Sequence, residues 1–241
     1  MKKEKIIAVL GYHKIGDPPP EGWHTWNYVS EILFTEHLEY LEQENWNVIS
    51  DKEFLKALKH PDDYQGKSVL ITFDDGYKTN LEIALPILNE HNYPAVVFVP
   101  TQFVGGYNSF DSDIHYEPLE TICDWQELSV LEKSGVSIQS HGVSHQHFSK
   151  LSARQKKQEA VLSKQVIDIN LKKQVRLFSF PYGDDGEDQI ETSTILKDAG
   201  YQAAFIYKGG ILNLNNSSNF RLPRIPVGAD TNLKTTLETF L

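Results

Sequence analysis

Short apolar runs recur along the chain, each followed by a longer stretch in which apolar residues return every three or four positions. Ile6–Leu10 reads as a strand, "TEHLEYLEQENW" as a helix, "NVIS" as a short strand and "DKEFLKALK" as a helix with Asp51 at its cap. "SVLITF" is apolar except for Thr72, as a parallel strand covered on both faces requires. "NLEIALPILNEH" keeps helical spacing despite Pro86. "AVVFV" is a further buried strand, and after it the stretch from Pro100 to Asp124, about 25 residues, loses periodicity, the mark of a functional loop or small subelement. The rhythm then resumes with "WQELSVLEKSG" as helix, "VSIQS" as strand, "ARQKKQEAVLSKQVIDIN" as helix, "VRLFSF" as strand, "IETSTILKDAG" as helix and "AAFIY" as strand. Such alternation predicts an α/β fold on a parallel sheet, open or closed into a barrel.

Composition narrows this picture. With 241 residues, 40% of them apolar, residues 1–241 are expected to form one domain with a sizeable core. Acidic residues outnumber basic ones 33 to 23, a formal charge of −10, and no basic cluster tracks a phosphate backbone, so nucleic acid is excluded as a partner. Cys123 is the single cysteine, which rules out an internal disulfide framework and a cysteine-rich zinc knuckle and leaves its thiol inert. Any metal must be held by histidine and carboxylate. The opening "MKKEKIIAVLGYH" has lysines before apolar residues, but its run from Ile6 to Leu10 is shorter than the roughly 7–15 residues of a signal-peptide core. No window approaches the roughly 20 apolar residues of a membrane span. The expectation is a soluble chain, cytoplasmic as it stands or extracellular if an export signal has been removed.

Polar residues of catalytic type gather where the predicted strands end. His13 follows the first strand, Asp74 and Asp75 end "SVLITF", His141 and His145 follow "VSIQS", and Pro181, Tyr182 and Gly183 follow "VRLFSF". In parallel α/β folds the loops at that edge converge on one mouth, where ligands bind. In a regular strand Asp74 and Asp75 would point to opposite faces, but Gly76 lets the chain turn so that both reach one cavity. Two ionised carboxylates that close repel unless a cation sits beside them. "SHGVSH" adds two imidazoles, and two histidines with one carboxylate are the composition of a catalytic zinc-type site. One aspartate would bind the metal and the other accept a proton from water; the residues alone do not order them. An Asp-Asp pair or an H-x-x-x-H spacing alone is more often structural, and it is their joint placement that points to a site.

"TFDDGY", "SHGVSH" and "FSFPYG", in this order, resemble the motifs of the polysaccharide deacetylases of NodB homology, carbohydrate esterase family four. "GYHKIGD", "FTEHLEYLEQENWNVIS", "WQELSVLEKSGVSIQSH" and "RLPRIPV" extend the resemblance over roughly residues 5 to 228, to the branch with an early tyrosine-histidine motif. The resemblance implies a distorted (β/α)7 barrel, one divalent metal ion (Zn2+, with Co2+, Ni2+ or Fe2+ as alternatives), and hydrolysis of an N-acetyl or O-acetyl group on a glycan. It also orders the aspartates: Asp74 resembles the catalytic base, and Asp75, His141 and His145 the metal ligands. Tyr182 resembles the residue whose backbone N–H faces the oxyanion, with Pro181 and the Tyr182 ring shaping the substrate groove.

Two departures from the family pattern carry expectations of their own. The late leucine-x-histidine motif that supplies the acid in most of the family is missing, since no histidine follows His147, and His13 takes that role instead. Ser179 stands where an arginine usually precedes the proline pair and orients the base. Of four arginines, Arg154 falls on a solvent-facing helix and Arg176 begins its strand, about 10 Å from the mouth. Arg221 and Arg224 flank "LPRIPV", and Arg224, between Pro223 and Ile225, is polar in apolar surroundings, so it is predicted to pair with Asp74. Trp125, just after its helix cap Asp124, is expected near the mouth and is carried as a substrate contact. "GWHTWNY" offers aromatic faces for stacking on sugars or for a packed lid, and His147 reads as a hydrogen-bonding neighbour of the metal pair. The competing readings are a metal amidase acting on a small non-sugar amide and a catalytically silent glycan-binding barrel.

Overall fold

A computed structural model describes residues 5–212, 214 and 218–240; residues 1–4 and 241, the ends of the expected domain and the lysines that open the chain, lie outside the described residues. Seven parallel strands close on themselves: β1 Lys5–Tyr12, β2 Gly66–Phe73, β3 Ala95–Val99, β4 Val136–Ser140, β5 Leu177–Ser179, β6 Ala203–Tyr207 and β7 Leu222–Pro226. Each neighbours the next in sequence, and β7 returns to β1. The sheet is therefore a (β/α)7 barrel, distorted because its seams differ. β1 and β2 pair from Lys5↔Gly66 to Tyr12↔Phe73, whereas β4 and β5 meet only at Ser140↔Phe178.

Alternation along the strands builds two apolar layers. Ile7 and Val9, Leu70, Val96 and Phe98, Leu177, Phe205 and Leu222 come from six different strands yet form one cluster, which only the barrel interior can bring together. Phe54 and Leu55 join it from helix α2 (Asp51–Lys59), whose other neighbour in sequence is helix α1 (Glu31–Gln43). The other face of the strands packs outward against helices α3 (Leu85–Glu90), α4 (Trp125–Lys133), α5 (Ala153–Leu171) and α6 (Gln189–Asp198). Among the described residues no helix is long and apolar enough to cross a membrane.

Several predicted elements shift for identifiable reasons. The cap of α2 is Ser50, not Asp51: Ser50 and Glu53 form a capping box, while the Asp51 carboxylate accepts from Ser137 and Gln139. Asp124 does cap α4, in a box with Glu127. "NVIS" contracts to Asn47–Val48, which lies against β2 outside the closed barrel. The helix around Pro86 is split into a π-helical stretch, Asn80–Ala84, and α3, which places the proline in the first turn where its missing N–H leaves no gap. β5 is shorter than predicted because the N–H groups of Arg176 and Leu177 at its start bond to the Gln139 side chain of β4 rather than to that strand's backbone.

Two loops rise above the barrel's C-terminal edge and are tied together by one carboxylate. Glu117, in the aperiodic stretch before α4, accepts from Lys14 Nζ at 2.6 Å, Asn27 Nδ2 at 2.6 Å and Thr25 Oγ1 at 2.7 Å. Lys14 and Glu117 are both buried, and the ammonium sits over the rings of Tyr28 and Tyr77. Tyr28 adds a bond to Glu120 at 2.6 Å. Removing one partner of such a pair leaves an uncompensated buried charge. Glu117→Ala is expected to cost about 3–5 kcal/mol of unfolding free energy in urea titrations; a loss below about 1 kcal/mol would show that the loops hold together without it.

Candidate active site

The end of β2 shows how adjacent aspartates come to share a cavity. The Asp74 N–H bonds to the Tyr12 carbonyl at 2.9 Å, and Asp75 then turns left-handed at φ 70° with Gly76 following at φ 73°. The turn thus begins at Asp75, one residue earlier than Gly76 alone would suggest. A Cβ on Gly76 would lie 2.7 Å from Val99 Cγ1, so this position needs glycine for space as well as for φ. Both carboxylates line one cavity of about 250 Å3, together with His13, His141 and His145.

His141 follows β4 with its N–H on the Val99 carbonyl. Its Nδ1 lies 2.7 Å from the Ser179 carbonyl, which can only accept, so Nδ1 donates and Nε2 turns its lone pair into the cavity. His145, left-handed at φ 53°, brings its Nε2 to 3.1 Å from Asp75 Oδ1, and His141 Nε2 lies 3.5 Å from the same oxygen. Among the described residues Asp75 Oδ1 and His145 Nδ1 are nonetheless buried without a hydrogen-bond partner. One ligand atom from each of the three residues fits within 4.8 Å of the others. Burial pushes the His141 imidazole down to about 4, which keeps it neutral at pH 7. Burial alone would raise the Asp75 carboxyl, but the nearby histidines, His145 foremost, bring it down to about 2. The neutral His141 imidazole and the His145 ring nitrogen beside an orphaned, ionised carboxylate oxygen are a donor set that fits a divalent cation.

Asp74 sits in a different cage. Arg224, pointing into the barrel from β7, donates through Nη1 to Oδ1 at 2.8 Å and through Nη2 to Oδ2 at 2.7 Å. Both side chains are fully buried. Nη2 also donates to Ser179 Oγ at 2.7 Å, and the hydroxyl passes its own proton on towards Asp74 Oδ1 at 3.3 Å. Tyr207, at the end of β6, donates to Oδ2 at 2.8 Å, and its ring lies 4.1 Å from the guanidinium carbon. Gly11 leaves the room that ring occupies: a Cβ there would stand 2.6 Å from it. Burial raises the Asp74 carboxyl, and the guanidinium, then His141, more than reverse this, so it lies well below the usual carboxylate range.

The remaining residues divide between the cavity and its surroundings. His13 lines the cavity with its ring stacked on Tyr207 at 6.0 Å between centroids, and its Nδ1 is buried without a partner among the described residues. Tyr182 is left-handed at φ 56°, stacks on His147 at 4.1 Å and donates its hydroxyl to Asp111 at 2.8 Å. His147 in turn meets Asp184 at 3.2 Å. Trp26, from the "GWHTWNY" loop, also lines the cavity. Beyond Tyr182, His145 and Asp111, which belong to both walls, the cavity continues into an open groove of about 780 Å3. Pro181 is buried and outside the lining of either space. Trp125 is not at the mouth: it is half-buried, packed on the outer apolar layer, and lines neither space, because α4 turns its indole toward the barrel wall. Cys123 is buried and its thiol is pushed up to about 12, chiefly by that burial.

Tyr207 and Asp111 were missed by sequence reasoning. Tyr207 ends the "AAFIY" strand and obeys the same strand-end rule as His13 and Asp74, so the signal was there. Asp111 lies in the aperiodic stretch, where nothing local distinguishes it.

A profile described as polysaccharide deacetylase matches residues 62–204, more than half of the chain. The chain belongs to the polysaccharide deacetylase family. Among similar sequences are the putative polysaccharide deacetylase YxkH of Bacillus subtilis (strain 168), 25% identical over 83% of this chain, and the poly-beta-1,6-N-acetyl-D-glucosamine N-deacetylase of Staphylococcus aureus (strain MRSA252), 28% identical over 85%. The matches span 64% and 69% of the length of those deacetylases. The barrel is shared with a Streptococcus pyogenes deacetylase, PplD, solved in complex with acetate, at a TM-score of 0.81 and 22% identity over 98% of both chains. IcaB from Ammonifex degensii gives 0.79 and 20% over 99% of both.

Within this deacetylase barrel Asp74 contributes stability at neutral pH, because its folded carboxyl lies below its unfolded value; that contribution disappears as pH falls through the folded value. Without the guanidinium, burial is opposed mainly by His141 and the carboxyl rises. Arg224→Ala is expected to lower unfolding free energy by about 3–5 kcal/mol at pH 7. The deficit should shrink towards pH 4 as Asp74 protonates in the variant, and urea titrations at the two pH values test this. A deficit independent of pH would mean that Arg224 stabilises through packing alone.

Proposed function

We propose that the protein is a metal-dependent hydrolase that removes N-acetyl groups from an oligosaccharide or polysaccharide. The observation that carries this reading is a single cavity with two unlike carboxylates, Asp75 orphaned between imidazoles and Asp74 held ionised by Arg224. Asp75, His141 and His145 would hold one divalent ion, zinc first, although Co2+, Ni2+ and Fe2+ suit the same donors. Such an ion supplies Lewis-acid polarisation of an acetyl carbonyl and acidification of a water.

The chain's own residues supply the rest. Asp74 takes a proton from the attacking water as its oxygen bonds to the acetyl carbon. The fork of Arg224 and the Tyr207 hydroxyl fix both of its oxygens, so it acts in one orientation. His13, on the same cavity wall, delivers a proton to the sugar nitrogen as the carbon–nitrogen bond breaks, and acetate and a free amine leave. The Tyr182 backbone N–H stabilises the developing oxyanion, and its ring, held by Asp111 and His147, walls the groove.

Two observations favour a glycan over a small amide. The groove of about 780 Å3 continues from the cavity and is open, and the Staphylococcus aureus relative is named for a β-1,6-linked N-acetylglucosamine polymer. Retention of a base gripped by four donors is more than a silent binding barrel needs. Acetate release from β-1,6-linked N-acetylglucosamine oligomers, with and without chelator, is the direct test: release abolished by chelator and restored by Zn2+ or Co2+ is expected, and release indifferent to chelator would sink the metal-dependent reading.

The two aspartates should separate cleanly. Asp74→Asn is expected to keep the metal and lose at least about 10²-fold in kcat, while Asp75→Asn and His145→Ala lose metal in elemental analysis. Metal loss on Asp74→Asn would reverse their roles. His13→Ala is expected to slow release from N-acetyl substrates by about 10²–10⁴-fold, yet spare an aryl acetate, whose leaving group needs no proton. Equal losses on both substrates would remove His13 as the acid.

A further inference from the structure

The two candidate metal-binding histidines are separated by three residues of loop, and that loop is hydrogen-bonded from both sides. On one side the carbonyls of Gly142 and Val143 accept from the N–H groups of Thr101 and Gln102, at 3.1 and 3.0 Å, just past β3. On the other side stands Glu159, a carboxylate on α5 that is 9% exposed. Its Oε2 accepts from the Val143 N–H at 2.6 Å and the Ser144 N–H at 3.0 Å, and its Oε1 from the Ser144 hydroxyl at 2.6 Å. All three donors lie between His141 and His145, and all are neutral.

One helical turn further along α5, Ser163 meets the Ser140 hydroxyl at 2.7 Å, and Ser140 in turn accepts from the Gly142 N–H at 3.2 Å. The helix thus grips the chain on both sides of His141. Gly142, left-handed at φ 79°, is where Glu159 approaches most closely: a Cβ there would lie 2.8 Å from Oε2. An unpaired buried N–H costs about as much as a lost hydrogen bond, so a loop of this shape needs an acceptor at that spot. His145 is itself left-handed at φ 53°, a conformation that persists only where its surroundings over-determine it.

We propose that Glu159 is a positioning residue for the metal site: by binding the Val143 and Ser144 N–H groups it sets the separation and aim of His141 and His145. The inference rests on the reading of Asp75, His141 and His145 as metal ligands. Glu159 touches neither metal nor substrate. Its effect is to keep the loop in the shape that points both imidazoles at Asp75 before any ion arrives, and outer residues of this kind are worth about 10–100-fold in metal affinity.

The test uses the full chain and the metal alone, at a temperature where every variant is folded by circular dichroism. Affinity for Zn2+ is measured by competition with a chromophoric chelator, and the ligand field is read from the visible absorption of the Co2+ form. Glu159→Ala is expected to weaken Zn2+ binding by about 10–100-fold and to alter the Co2+ spectrum. Glu159→Gln, which keeps an oxygen acceptor for the two N–H groups while removing the charge, should restore affinity to within a few-fold of the unsubstituted protein. Ser144→Ala, which removes only the side-chain bond and should fold even if Glu159→Ala does not, is expected to weaken binding several-fold.

Glu159→Ala with unchanged affinity and spectrum would overturn the proposal while leaving the metal site standing. So would a Glu159→Gln that binds as weakly as Glu159→Ala, which would assign the effect to charge rather than to loop geometry; should Glu159→Ala not fold, unchanged binding by Ser144→Ala decides against it. Failure of the unsubstituted protein to bind either ion would instead overturn the metal reading beneath it.

Discussion

A guanidinium buried inside a barrel is the constraint around which the upper half of this protein is arranged. Taking Arg224 and Asp74 out of water costs several kcal/mol for each charge, and only a bidentate fork with further hydrogen bonds offsets that cost. The neighbours are chosen accordingly. Ser179 is small enough to leave the arginine its volume and polar enough to bond it, Thr72 offers a hydroxyl to Nη1 at 3.3 Å, and Gly11 clears the space for the Tyr207 ring that lies against the guanidinium. The strand carrying Arg224 is also the one that closes the barrel against β1, so the closing seam and the ion pair depend on each other.

Beside this rigid pair, the mouth carries backbone strain of its own. Asp75, His145 and Tyr182 are all non-glycine residues with left-handed φ, a conformation that costs of order 1–3 kcal/mol apiece and survives only under firm support. Each has that support within reach: Gly76 packed on Val99 after Asp75, the Glu159 clamp before His145, and the Asp111 and His147 contacts on the Tyr182 ring. The strain turns side chains out of the ordinary strand or helix direction and into one cavity. Stability lost at the mouth is recovered in the apolar layers below and around it.

The rim above the cavity follows a different logic. Two loops far apart in sequence, one after β1 and one before α4, are joined through Glu117 rather than through either loop's own secondary structure. That junction places Trp26 and Asp111 on the walls of the same cavity, and it explains how an aperiodic stretch of chain keeps a defined shape. The groove is therefore built from a strained but hydrogen-bonded floor and a cross-linked rim.

The sequence by itself determined what short-range physics can encode. The alternation of apolar runs with amphipathic stretches carries the βα rhythm, because strand and helix periods are local properties, and the polar residues at predicted strand ends carry the mouth, because parallel topology sends those ends to one side. Arg224 could be singled out as polar among apolar neighbours. Only the tertiary structure decided which groups actually meet. The cap of α2 passed to Ser50 because Asp51 found partners across the sheet edge, Trp125 turned to the barrel wall, Tyr207 at its strand end reached across to Asp74, and Asp111 joined the site from a segment with no local mark of function. The physical reason is common to all of these. Closure of seven strands into a ring and the left-handed turns at its rim set distances between residues more than a hundred positions apart, such as Asp74 and Arg224, and no periodicity within a window of the chain records such a distance.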